Sequence, residues 1–278
     1  MEKRLHVRSI KRPLIAFGLL LTVPLAAQAH SLRVLANRLA QEQGKKVTAY
    51  LNYGHLLPVD EVIAAKEVTF LQARTPSQSV KPLELTGRSL HSNEMILEET
   101  GVYQLESIRK TLVYTKYVES SGKPAFARVS KDQFKLPEGA KEAQTTRSRQ
   151  YSKALLISGS APGKAIAPLG HELEIVLESK LGSLGLDPGQ PVKVQVLFQG
   201  KPLANAKVTA ASVTLSPDGL PESATETDSQ GIASLELPEP GTWLLEVTHL
   251  FEAAAGDKGT LDFESYKASL AVPVAEEG

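Results

Sequence analysis

The 278-residue sequence has no cysteine. That excludes disulfide scaffolds, iron–sulfur clusters, cysteine zinc sites, thiol nucleophiles and a lipid-modified N-terminal cysteine. Aromatic residues are scarce at 5%, too few for the stacking platform that a sugar-binding or single-strand-binding face needs. Net charge is also missing, with 31 Lys+Arg against 31 Asp+Glu. Residues 1–29 hold five basic residues and one acidic residue, so the remainder carries 26 basic and 30 acidic, a net charge of −4. A mildly acidic chain has no general attraction for nucleic acid or anionic lipid, so no nucleic-acid partner is expected. No phosphate-cradling glycine loop, Gly-x-Ser-x-Gly elbow or His-Glu-x-x-His helix is present, and no enzymatic role is expected. Beyond residue 29 no apolar run approaches the roughly 20 residues of a bilayer span.

An export layout opens the chain. Residues 1–13 are basic, residues 14–25 are mostly apolar, and Ala27-Gln28-Ala29 offers a small-x-small cleavage site. This is a signal peptide over 1–29, which places the protein in the periplasm or outside the cell. Cleavage after Ala29 makes His30 the first mature residue, with both an α-amine and an imidazole to offer a metal.

The rest reads as all-β. Val192, Val194, Val196 and Phe198 alternate with Lys193, Gln195 and Leu197, the period of a half-buried strand. Further strands are expected at 208–215, 232–237 and 243–250, with Val272 closing the set and turns at 199–202, 228–231 and 238–241. In the first half, strands are expected at 31–35, 46–53, 67–73, 101–108, 111–118 and 151–157, with a helical turn within 58–66. Residues 121–149 are polar and read as a long surface excursion. The glycine-rich stretch 182–190 marks a boundary. The expected architecture is two antiparallel β-sandwich units of immunoglobulin-like or carboxypeptidase-regulatory-like type with long loops, over 30–181 and 188–275.

Five histidines remain after residue 29. His91 lies in the polar stretch Ser89-Leu90-His91-Ser92-Asn93 and reads as a surface residue. His30 shares strand parity with Leu32 and Val34, His55 with Leu51 and Tyr53, His171 with Leu173 and Ile175, and His249 with Leu245 and Val247. All four stand on the core-facing side of a strand-like run. The bland reading makes each a core-edge histidine bonded to a carbonyl. The sharper one is a transition-metal site, since neutral imidazoles with an amine suit Ni, Co, Cu and Zn. Asp60 and Glu61 stand where they would orient His55.

The post-signal His30, the strand ending Tyr53-Gly54-His55 with Pro58 and Glu61 behind it, Gly170-His171-Glu172-Leu173, the run Val194 to Ala206, and Thr227-Asp228-Ser229-Gln230-Gly231 leading to Trp243 and His249 form a pattern. Together they resemble a periplasmic family labelled a nickel/cobalt-uptake component and otherwise described as a domain of unknown function. The resemblance implies secretion, a β-sandwich and a role in metal handling. His30, His55 and His249 match its recurrent histidines; His171 is not carried over. Here Leu56-Leu57 separate His55 from Pro58, where relatives often show a second glycine or an aromatic. The function this implies is binding of a divalent transition metal (Ni, Co, Cu or Zn) at His30, His55 and His249 for uptake or buffering. A metal-uptake transporter or outer-membrane receptor would be the partner. The alternatives are a metal-free interaction or structural module and, third, a copper oxygenase.

Overall fold

Strands dominate because apolar residues recur at every second position between Gly, Pro and Asp turns. The computed structural model describes residues 30–57, 60–160, 166–216 and 220–276. Residues 1–29, read from the sequence as a signal peptide, and Pro58 lie outside the described residues. The first strands are β1 (Ser31–Ala36), β2 (Ala40–Gln41), β3 (Lys46–Gly54), β4 (Val68–Arg74), β5 (Val80–Leu83) and β6 (Leu90–Ile96). Next come two very long strands, β7 (Gly101–Val118) and β9 (Lys141–Ser158), joined through β8 (Pro124–Ala127). The later strands are β10 (Leu173–Leu177), β11 (Pro191–Phe198), β12 (Lys201–Pro202), β13 (Lys207–Ser212) and β14 (Ser223–Glu226). The series ends with β15 (Ile232–Glu236), β16 (Gly241–Glu252) and β17 (Phe263–Val274). Helical structure among the described residues is limited to 3₁₀ turns at Ala65–Glu67 and Ala255–Asp257.

The chain is all-β, and its described residues form three sheets. A ten-stranded sheet runs β14-β13-β16-β17-β9-β7-β4-β5, with β2 and β8 attached to β9 and β7. A three-stranded sheet, β1-β3-β6, covers one of its faces, and a four-stranded sheet of β10, β11, β12 and β15 covers the other. Alternation along the middle strands fills both interfaces. Leu245, Leu270 and Leu155 join the core under β10 and β11, whereas Leu244, Ala271 and Ala154 join the core under β1 and β3. Trp243, Leu244 and Leu245 at the start of β16 are therefore buried from both sides, which explains that unbroken apolar run.

Three sequence expectations are corrected here. The stretch 121–149 is not all excursion, because residues 141–149 begin β9 and 124–127 form β8. Their polar composition goes with partial exposure: residues 141–144 are exposed, whereas Thr145, Thr146 and Ser148 are buried polar residues. The boundary expected at 182–190 does not separate two cores. β10 pairs with β11, β17 pairs in parallel with β9, and Tyr151, Leu155 and Ile157 pack with the C-terminal residues. His91 is fully buried rather than on the surface. Its Nε2 meets the Ile63 carbonyl at 2.8 Å, and its Nδ1 accepts the Gly87 N–H at 3.1 Å. Those partners fix a neutral imidazole protonated on Nε2.

Candidate metal centre

β1 lies at the edge of its small sheet, so its outer backbone groups need partners. The large sheet beneath supplies them from side chains. The Gln150 amide donates to the His30 carbonyl at 3.0 Å and accepts the Leu32 N–H at 2.9 Å. Ser152 accepts the Val34 N–H at 2.7 Å, and Ser269 donates to the Leu32 carbonyl at 2.9 Å. His30 thus stands at the head of a strand whose register and height are both fixed.

The β1–β3 ladder pairs Ser31 with Gly54. One step further along that register, His30 stands opposite His55. Directly opposed side chains on one face come within contact distance, and the two imidazole centroids are 4.3 Å apart at 46°. Tyr53 closes one side, its ring 5.4 Å from that of His30. Arg109 stacks over the Tyr53 ring at 4.3 Å and donates to its hydroxyl at 2.5 Å.

The loop after β3 is held from both sides. Asp60 accepts the backbone N–H groups of His55 at 2.6 Å and Leu56 at 3.1 Å, and Arg33 donates to the His55 carbonyl at 2.9 Å. Gly54 has φ 134°, and a Cβ there would sit 2.4 Å from the Asp60 carboxylate, so only glycine fits. The sequence assigned Asp60 and Glu61 to the His55 ring. The structure distributes them differently: Asp60 holds backbone, and Glu61 meets His30 Nε2 at 2.6 Å. A histidine held at Nε2 turns Nδ1 away from its carboxylate partner, and Nδ1 is the nitrogen that can close a chelate ring with the same residue's α-amine.

Burial, followed by the neighbouring His30, Lys267 and Arg33 side chains, pushes the His55 imidazole below the usual histidine range. The bonds from His55 and Leu56 lower the Asp60 carboxyl. At neutral pH this gives an uncharged imidazole beside a charged carboxylate, the protonation states a metal site requires.

His249 does not join the pair. It lies on β16 with the parity of Leu245 and Val247, so it faces the four-stranded sheet, whereas Glu246 on the opposite face meets Arg33 at 3.4 Å. Its ring packs against Phe198 at 4.7 Å and Phe251 at 5.0 Å, and burial lowers its pKa. His171 belongs to another cluster. Its Nε2 is 3.0 Å from Glu106, and its ring stacks on Tyr151 at 5.4 Å. Beside it the buried Lys153 and Glu174 pair at 2.5 Å. Among the described residues no group of three or more His, Cys, Asp and Glu is arranged to hold a metal ion, so the protein ligands brought together are the His30 and His55 imidazoles. Strand parity pointed to those two; Gln150, Arg33 and Lys267, which hold or charge the site, gave no motif in the sequence. Two shallow clefts, one lined by Lys131, Gln144 and Phe263 and the other by Lys81, Leu83 and Met95, include neither histidine.

None of the curated proteins matches the sequence. The D00-D0 domain of intimin is similar at 11% identity and a TM-score of 0.21, over 89% of this chain and 100% of that one. A mutant Salmonella alpha-2-macroglobulin is similar at the same 11% and 0.21, over 89% of this chain and 25% of that one. Among the described residues no helix is long and apolar enough to cross a membrane. A family model described as a domain of unknown function, DUF4198, matches residues 27–250, and the chain belongs to that family.

Proposed function

We propose that this is an exported protein that binds a divalent transition metal, of the nickel, cobalt, copper or zinc group, for uptake or buffering rather than catalysis. The observation that carries the reading is the register-matched pair His30 and His55, with ring centroids 4.3 Å apart and the outer nitrogen of His30 held by Glu61. Cleavage after Ala29 would add the α-amine of His30, and amine plus two imidazoles is a competent ligand set for these ions. The depressed pKa of His55 supports the same reading, because the ligand form is already present at neutral pH. A metal-uptake transporter in the envelope is the partner this role calls for.

The test uses protein exported with its native N-terminus. Calorimetry with Ni(II) and Cu(II) should show one site, tightest for copper by the divalent affinity order. His55→Ala should weaken it by roughly a hundredfold, the loss of one ligand, and His249→Ala should leave it unchanged. Equal affinity in wild type and His55→Ala would sink the proposal. Loss in His249→Ala alone would move the site to the other face of the sheet.

A second reading is a metal-free interaction module. It rests on the Phe198, His249 and Phe251 cluster, beside which Leu250 and Phe251 are 57% and 37% exposed.

A further inference from the structure

The outer edge of β1 is seated on the large sheet at regular intervals. Leu32 donates its N–H to Gln150 and Val34 donates its N–H to Ser152, in each case 118 residues further along the chain. β1 therefore runs along β9 in step. Each seat is shared with β17, which pairs Lys267 with Gln150 and Ser269 with Ser152. At the second seat two hydroxyls divide the task. Ser152 accepts the Val34 N–H, Ser269 donates to the Leu32 carbonyl, and the two hydroxyls bond each other at 2.7 Å.

The same 118-residue offset carries the nitrogen of His30 to Ser148. β17 sets Ser265 beside it, so this seat again holds two hydroxyls. Both lie on the β1-facing side, because side chains two residues apart on a strand share a face. Ser148 is 8% exposed, and among the described residues neither hydroxyl makes a hydrogen bond. Buried hydroxyls are ordinarily bonded. A peptide nitrogen at residue 30 would offer this seat a single N–H. Cleavage after Ala29 would turn that nitrogen into a primary amine, with two N–H donors and a lone pair. Two hydroxyl oxygens can accept two donors and leave the lone pair for an ion.

We propose that Ser148 and Ser265 seat the free α-amine of His30, and that Ser148 is the positioning residue that holds this amine where it closes a chelate ring with the His30 imidazole. The seat depends on cleavage after Ala29; only its use by a metal rests on the metal reading above. Glu61 holds the imidazole of His30 and Gln150 holds its carbonyl. The amine is the remaining group of that residue to be fixed.

The test uses exported protein whose first residue is His30 by mass spectrometry; a different first residue overturns the proposal. Acylation of the α-amine by a succinimidyl ester, read by peptide mapping, needs no metal. It should be roughly fivefold slower in wild type than in Ser148→Ala, the scale of one hydrogen bond, and Ser148→Thr should restore the slow rate. Calorimetry with Ni(II) should show a similar loss of affinity in Ser148→Ala, again recovered in Ser148→Thr. With one extra alanine before His30 there is no amine to seat, and Ser148→Ala should then leave Ni(II) affinity unchanged. A loss of equal size in that background marks Ser148 as merely structural and overturns the proposal. If wild type binds no Ni(II) while acylation still depends on Ser148, the metal reading falls and the seat stands. Equal acylation rates in wild type and Ser148→Ala overturn the seat, whatever the metal does.

Discussion

The site depends on single residues whose role is steric or protonic. Gly54 is the clearest. Its φ of 134° and the 2.4 Å approach to Asp60 leave no room for a side chain. Gly54→Ala should cost on the order of 1–3 kcal/mol, read as a lower melting temperature, and should also loosen the His55 loop and lower metal affinity. His55 sets the pH behaviour. Its pKa and that of His249 are depressed in the folded protein, so the unfolded chain takes up protons first. Their neutral forms favour the fold fully above the unfolded value of about 6.5, and that contribution drains away as pH falls below it. Melting temperature should therefore drop on acidification from pH 7 to 5, and His55→Gln should flatten the drop. Metal binding should persist to lower pH than a free imidazole would allow, which a titration series over the same range would show.

At the scale of elements, what joins the layers is partly ionic. Lys153 on β9 points into the core under β10, where Glu174 meets it and His171 meets Glu106. Burial would raise the Glu174 carboxyl, but Lys153 and the Leu169 N–H together hold it below the usual range. Lys153→Met should strand a buried carboxylate and cost about 3–5 kcal/mol, whereas Lys153→Met with Glu174→Leu should cost far less; denaturant midpoints of the two variants decide this. β11 was legible in the sequence because its alternation is clean, and β16 because its apolar run follows the Pro238–Gly241 turn. β6 was not: Leu90-His91-Ser92-Asn93-Glu94 reads as a turn, yet His91 is buried by its bonds to Ile63 and Gly87. The parity rule also had a blind side. It placed His55 and His249 inward, and both face the interior. A strand in the middle layer has two interiors, however, and parity does not say which one a residue enters. His30 and His55 share one, and His249 faces the other.

For the whole molecule the decisive feature is the shared sheet. The sequence implied two units separable near residues 182–190, but β17 lies against β9 over nine paired positions from Phe263–Thr146 to Ala271–Ala154. A fragment from about Leu186 onward would lose β9, β10 and the core contributed by Tyr151, Leu155 and Ile157. It should be unfolded or aggregated by circular dichroism, while residues 30–278 should melt in a single transition. A fragment that unfolds cooperatively on its own would show that the pairing with β9 is dispensable.

The first strand is fastened by the last. Ser269, on the strand that ends the described chain, bonds the Leu32 carbonyl across 237 residues of sequence, and Lys267 reaches Ser31 across 236. Contacts of such separation form late, since the closure entropy of the whole intervening chain is lost before they are gained. In a polypeptide made N-terminus first, His30 would therefore not be seated until the final hairpin arrived. On the metal-binding reading proposed above, a complete site would exist only in the finished molecule.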